Sequence, residues 1–285
     1  MKKGIILFLV SLLLGGCACG PIPKAGPIPK AGPVQTRTEK PQRIPSKSAK
    51  PPVPAKPVKM ELPAYNQTSF IIDYSGYTVS YDESSKLPVW VAYELTSEET
   101  DGPINRGGKN FRPDERIKKA QADQYDYRGS GWTRGHMAPA GDFKWDETAM
   151  SDTFYYTNCC PQDETLNNGS WQTLEKKVRS IARLHKKVYV VTGPIIGENQ
   201  YGKIGSHNVV VPDAFYKALL VSQDGKYHAI GFVMKNISPT QPLHDCFMSI
   251  NELEGICGID FFPSLDDTIE EIIEDSVDLN VWRIR

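Results

Sequence analysis

The sequence predicts an α+β domain built on a central antiparallel or mixed β-sheet with flanking helices. Three observations carry that expectation. Stretches rich in Val, Ile, Tyr and Phe recur between residues 69 and 236, and β-branched and aromatic residues suit the pleated, half-buried surface of a strand. Only residues 169–186 form a long stretch with apolar residues at helical spacing. The strand candidates follow one another without a helix between each pair, unlike the alternation that builds a parallel sheet.

Taken in order, "SFIIDYSGYTVSYD" (69–82) holds two such runs around Ser75-Gly76, the pattern of a hairpin. "LPVWVAYELT" (87–96) and "DTFYYTNCCPQ" (152–162) predict two further strands, the second ended by Pro161, which lacks a backbone donor. "VYVVTGPII" (188–196) is almost continuously apolar, as expected of a strand covered on both faces. "VVVPDAFYKALLVS" (209–222) and "YHAIGFVMKN" (227–236) add two more, linked through Asp224-Gly225. In "GSWQTLEKKVRSIARLHK" (169–186), Trp171, Leu174, Val178, Ile181 and Leu184 recur at intervals of three and four and define one apolar stripe. Residues 247–256 and 264–275 are shorter helix candidates.

Ahead of this domain (61–285), residues 1–19 combine two lysines, an apolar run from Ile5 to Leu14 and small residues around Cys17. The run is about half of the ~20 residues a membrane-crossing helix needs, so it reads as an export signal. Its "LGGC" ending resembles the lipobox of bacterial lipoproteins. That resemblance implies a lipid anchor at Cys17, membrane attachment and a cell-envelope location, with simple secretion as the alternative. Residues 20–60 contain the tandem "GPIPKAGPIPKAG" and eleven of the 22 prolines. With so few apolar residues to offset ordering, they read as a Pro/Lys-rich disordered tether.

Beyond residue 60 the chain carries 22 Lys/Arg against 33 Asp/Glu, a net charge of −11, which excludes a broadly basic surface. Ten of those acids lie between Glu252 and Asp278, so a local basic cleft elsewhere remains compatible. The six cysteines form no CxxC pair, against a structural zinc site. Cys246 with Cys257 is the disulfide pairing to test.

The chemistry concentrates in "TRGHMAPAGD" (133–142) and "TNCCPQDETLNNGSWQTLE" (157–175). Cleaving a phosphodiester requires a base for water, which a histidine such as His136 provides near neutral pH. It also requires charge stabilisation at phosphate, which the fork of Arg134 offers. A magnesium ion keeps most of its waters and needs only one or two protein oxygens. Asn158, Gln162, Asn167, Asn168 and Glu175 cluster around the start of the long helix, and Asn167 and Glu175 are eight residues apart, near one helical face. Each residue also has an ordinary role. Asn167-Asn168-Gly169 alone reads as a helix cap, Glu175 as an i,i+4 partner of Arg179, and Trp132 and Trp171 as packing residues. His185, His207, His228 and His244 read as structural or solvated.

The three stretches in this order, "TRGHMAPAGD", "TNCCPQ" and "LNNGSWQTLE", resemble the DNA/RNA non-specific endonuclease family. These are the ββα-metal (His-Me finger) nucleases, whose signature runs D-R-G-H, T/S-N-x-x-P-Q, L-N-x-x-x-W-x-x-L-E. The resemblance runs from about Phe70 to Phe262. It implies a hydrolase that cuts DNA and RNA through the phosphate backbone, with His136 as general base and Asn167 as the direct ligand of Mg²⁺, Mn²⁺ or another divalent cation. Arg134 would contact phosphate, Glu175 would hold metal-bound water, and Asn158 and Gln162 would support the site. A further basic residue is implied among Arg106, Lys109 and Arg112. Thr133 replaces the first acid of the signature, removing a carboxylate while leaving a hydroxyl. A catalytically silent surface module of the same fold, binding nucleic acid or another envelope component, is the alternative.

Overall fold

The computed structural model describes residues 59–64, 69–119 and 121–284. The expectations for the signal segment, Cys17 and nearly all of the tether lie outside these residues. In chain order the strands are β1 (Phe70–Asp73), β2 (Thr78–Asp82), β3 (Leu87–Thr96), β4 (Thr133–His136), β5 (Cys159–Gln162), β6 (Lys187–Ile195), β7 (Lys203–Ile204), β8 (Val209–Val210), β9 (Ala214–Gln223), β10 (Lys226–Lys235) and β11 (Phe247–Met248). The α-helices are α1 (Gln124–Tyr127), α2 (Glu147–Asp152), α3 (Glu164–Leu166), α4 (Gln172–His185), α5 (Ile250–Cys257), α6 (Asp267–Asp275) and α7 (Leu279–Trp282).

Seven strands form the main sheet in the order β1-β2-β3-β6-β9-β10-β11. Every neighbouring pair in it is antiparallel. Asp224 and Gly225 turn β9 into β10 with φ of 51° and 76°, the left-handed pair that a tight hairpin needs.

Successive side chains of a strand face opposite ways, and the core divides accordingly. Phe215, Leu219 and Val221 of β9 pack with Trp171, Leu174, Val178 and Ile181 of the long helical segment. Tyr216, Ala218 and Leu220 face the other way, against Ile250, Leu253 and Ile273 of α5 and α6. The helix stripe is as expected except at its end, where Leu184 is exposed and Ala182 is buried instead.

Three expectations change. Residues 152–158 are not strand. Asp152 closes α2, Tyr156–Asn158 form a 3-10 turn, and pairing begins only at Cys159. Pro161 lies inside β5, opposite Arg134. The run 209–222 is broken between β8 and β9, where Pro212 and Asp213 separate two different sheets. Cys246 and Cys257 are both free thiols. Cys246 sits in the core under α4, whereas Cys257 packs with the cluster on the opposite face.

Candidate active site

The site is built from β4, β5 and the helical segment that follows. In the two-stranded ribbon Thr133 lies opposite Gln162, and His136 opposite Cys159. Gly135 is required there, because a Cβ would come within 2.0 Å of the Gln162 Oε1 atom. Beyond β5, Asp163 caps α3, and Asn167–Trp171 then form a π-helical turn leading into α4. Such widened turns are rare and recur at functional sites. Here the turn sets Asn167 at the mouth of the site and buries Trp171, whose indole Nε1 donates to the His136 carbonyl at 3.3 Å.

These elements line a cleft of about 500 Å³ that includes Arg134, His136, Asn167, Asn168, Gln172 and Glu175. The His136 ring packs between Phe111 and Phe154, with centroids 4.7 and 5.1 Å away. Its Nε2 atom is buried without a hydrogen-bond partner among the described residues. Burial, then the nearby charges of Arg106 and Arg134, hold its pKa down to about 3. The imidazole is therefore neutral at physiological pH, and the same burial and neighbouring cations weaken it as a base.

Thr133 acts on Asn167. Its hydroxyl donates to the Gln162 carbonyl at 2.8 Å and accepts from Asn167 Nδ2 at 3.0 Å. The bond engages the nitrogen end of the amide, so the oxygen end is the atom open to other partners. Asn158 does not line the cleft. It is fully buried, and its amide joins Ala138 N, Ala138 O and Thr153 O at 2.8–2.9 Å, clamping the loop that follows His136. Gln162 is likewise fully buried beneath Gly135.

Arg179 is held by Asp142 at 2.5 Å, and Tyr93 donates to the other Asp142 oxygen at 2.9 Å. The ordinary alternative for Glu175, an i,i+4 pair with Arg179, thus gives way to a pair across two elements. Desolvation pushes the Glu175 carboxyl up, opposed first by the charge of Lys217 on β9. Sequence reasoning missed Lys217, although a lone lysine between Phe215 and Leu219 was a visible anomaly.

Five cationic side chains line the cleft, Arg106, Arg134, Lys144, Lys176 and Arg179, against the single carboxylate of Glu175. This is the local basic surface that the net charge conceals. Arg106 is the basic residue singled out from the three candidates. Lys109 instead pairs with Glu147, and Arg112 bonds Ser151 and lies 3.9 Å over the Tyr155 ring. Away from the cleft, Asp123, Asp126 and His207 bring three ligand-type atoms within 4.8 Å. Three of their four carboxylate oxygens already accept hydrogen bonds: Asp123 Oδ1 caps α1, and the Asp126 oxygens accept from Asp123 N, His207 N and His207 Nδ1. That arrangement ties a loop to a helix.

The family model for DNA/RNA non-specific endonucleases matches residues 55–268. The chain belongs to the DNA/RNA non-specific endonuclease family. Among this family's members, mitochondrial nuclease EXOG of Xenopus laevis is 38% identical over 208 residues, covering 68% of this chain and 58% of that protein. The chain thus spans under two thirds of the length of that relative. Human mitochondrial endonuclease G is 34% identical, with 67% of this chain and 68% of that protein covered. The solved structure of the EndoG/EndoGI complex, concerned with EndoG inhibition, matches with a TM-score of 0.66 at 32% identity, over 71% of this chain and 89% of that one. These relatives correct the location expected from residues 1–19. They are mitochondrial nucleases by name, which points to mitochondria rather than a bacterial envelope, and the lipid anchor expected at Cys17 finds no support in these relatives.

Proposed function

We propose that the chain is a metal-dependent, sugar-nonspecific endonuclease that hydrolyses phosphodiester bonds of DNA and RNA, with Mg²⁺ as its ion. The observation that carries this reading is the convergence of His136, Asn167 and Glu175 in one cleft lined by five cations. The donors fit a hard, largely hydrated cation: one carboxamide oxygen presented by an amide anchored at Thr133, and one carboxylate, without thiols. Asn167 would hold the ion and Glu175 would orient its waters. When bound, a divalent cation supplies stabilisation of the charge growing on phosphate and on the leaving oxygen.

The chain's own residues do the rest. Arg134 and Arg106 hold phosphate oxygens in the cleft. Neutral His136, a lining residue of the cleft, takes the proton of the attacking water. The water oxygen bonds to phosphorus and the bond to the leaving sugar oxygen breaks. Trp171 holds the backbone at His136 itself and Asn158 holds it two residues on, at Ala138. Contacts directed at phosphate read no sequence, which suits both nucleic acids.

The test is incubation of the full chain with closed circular plasmid and with RNA. Both are degraded with Mg²⁺, the plasmid passing through a nicked form, and EDTA stops the reaction. Substrates left intact across a panel of divalent metals overturn the reading. Binding without cleavage would favour the silent module instead.

A further inference from the structure

Arg179 is a cleft cation that this mechanism leaves without a task. It stands on α4 about one turn beyond Glu175, lines the cleft, and has a side chain only 16% exposed. Its Nη1 group donates to Asp142 Oδ1 at 2.5 Å. Asp142 is 0% exposed, and its other oxygen accepts from the Tyr93 hydroxyl at 2.9 Å. Tyr93 is buried in β3, where it pairs with Val190 of β6 inside the main sheet. Three side chains thus form one line from the sheet, through the turn Ala140–Asp142, to the cleft. A Cβ at Gly141, another lining residue, would stand 3.0 Å from Arg179 Nη1, so the guanidinium lies close against the backbone of that turn.

A buried carboxylate is costly unless it is both paired and hydrogen-bonded. Asp142 is both, with each oxygen serving one donor. Being fully enclosed, it can touch neither a nucleic acid nor a hydrated ion, so whatever it does for the cleft it does through Arg179. The arginine is only half used. A guanidinium carries five N–H donors in a planar fork, yet Arg179 Nε and Nη2 make no hydrogen bond within the described residues and are not enclosed. One end of the fork is fixed in the wall and the other is left for an anion, which suits a phosphate oxygen. A side chain held in advance also gives up little freedom when its ligand arrives.

We propose that Asp142 and Tyr93 are positioning residues of the cleft: the buried carboxylate, oriented by the tyrosine hydroxyl, holds the Arg179 fork ready for a substrate phosphate. The proposal rests on the nuclease reading for its kinetic arm, whereas its second arm needs binding alone. A salt bridge that merely fastened α4 to the turn would matter for melting temperature and leave substrate affinity untouched. A positioning pair matters for affinity in the folded protein.

The experiment compares wild type, Asp142→Asn, Tyr93→Phe, Arg179→Lys and the two doubles that combine Arg179→Lys with each of the others, all as full chains with Mg²⁺ and plasmid. Electrostatics alone would leave KM unchanged or lower it in Asp142→Asn, because a negative charge behind the cleft is removed. Positioning predicts the opposite sign. KM should rise about fivefold or more, with kcat within about twofold, since a grip on phosphate serves ground state and transition state alike. Tyr93→Phe keeps every charge and the ring, and should raise KM about threefold. Arg179→Lys keeps the charge and loses the fork, and in that background neither substitution should change KM by more than about 1.5-fold. An unchanged or lowered KM in folded Asp142→Asn, or full effects persisting beside Arg179→Lys, overturns the proposal. Where Asp142→Asn fails to fold, Tyr93→Phe decides by the same signs. The second arm measures the Kd of a labelled single-stranded oligonucleotide in EDTA by fluorescence anisotropy, and the same ranking is expected. Equal affinities overturn the proposal. An inactive wild type whose affinities still follow the ranking would count against the nuclease reading and leave the positioning supported.

Discussion

The hydroxyl of Thr133 shows how one atom can stand in for a charge. By accepting from Asn167 Nδ2 and donating to the Gln162 carbonyl, it sets the direction of the proposed ligand without adding to its charge. Thr133→Val keeps the shape and removes the hydroxyl. It is expected to weaken Mg²⁺ binding by about tenfold to a hundredfold, read as the Mg²⁺ concentration at half-maximal rate, whereas Thr133→Ser should stay near wild type. His136→Ala is expected to lower turnover by about 10² to 10⁴. It also carries a stability signature. The His136 pKa is near 3 in the fold against an ordinary value of 6.5. Between those limits the unfolded chain binds the extra proton, so this residue's contribution is complete above the ordinary value and is lost as pH falls toward the folded one. Wild type should therefore lose more melting temperature than His136→Ala across that window. Asn158→Ala, which strands three backbone partners in the core, should cost about 2–4 kcal/mol by denaturant unfolding. The residues of the cleft were legible because "RGH" and "NNGSWQTLE" carry His136, Asn167 and Glu175, the proposed base, ligand and carboxylate, in the order of the family's motifs. The clamp of Asn158 was not, because it closes on Ala138, 20 positions away.

At the scale of elements, periodicity located the sheet and the long helix well. β3 matches its predicted span, and the stripe from Trp171 to Ile181 packs as its spacing required. It failed where side chains overrule local preference. The aromatic run "DTFYY" has strand-like composition, yet it turns through helical geometry because Asn158 ties Ala138 and Thr153 together. The π-helical turn at Asn167–Trp171 was equally invisible, since an extra residue in one turn leaves the apolar pattern almost unchanged. The acidic helix α6 hides one carboxyl. Glu274 is 8% exposed, its Oε1 has no partner among the described residues, and burial with Glu254, Glu270 and Asp260 nearby pushes its pKa up to about 8. In the fold this group keeps its proton, so its contribution is best below the ordinary carboxyl range and declines as pH rises toward 8. Glu274→Gln is expected to gain about 1–2 kcal/mol at mildly alkaline pH and nothing in acid, measured by urea melts.

For the molecule as a whole, net charge was a misleading guide. A domain with an excess of eleven acids still presents five cations in one cleft, because the acids gather in the final quarter of the chain. Recognition through those cations releases counterions, so KM for DNA should rise about tenfold or more between roughly 50 and 200 mM salt. A flat salt response would count against phosphate contact by the cleft. The sheet separates the two populations of charge: the ribbon and α4 pack on one face, and α5 and α6 on the other. The cleft side thus gathers cations, while α5 and α6 on the opposite face carry seven of the ten acids between Glu252 and Asp278. On the proposed reading, a polyanion is drawn in most strongly from the cleft side.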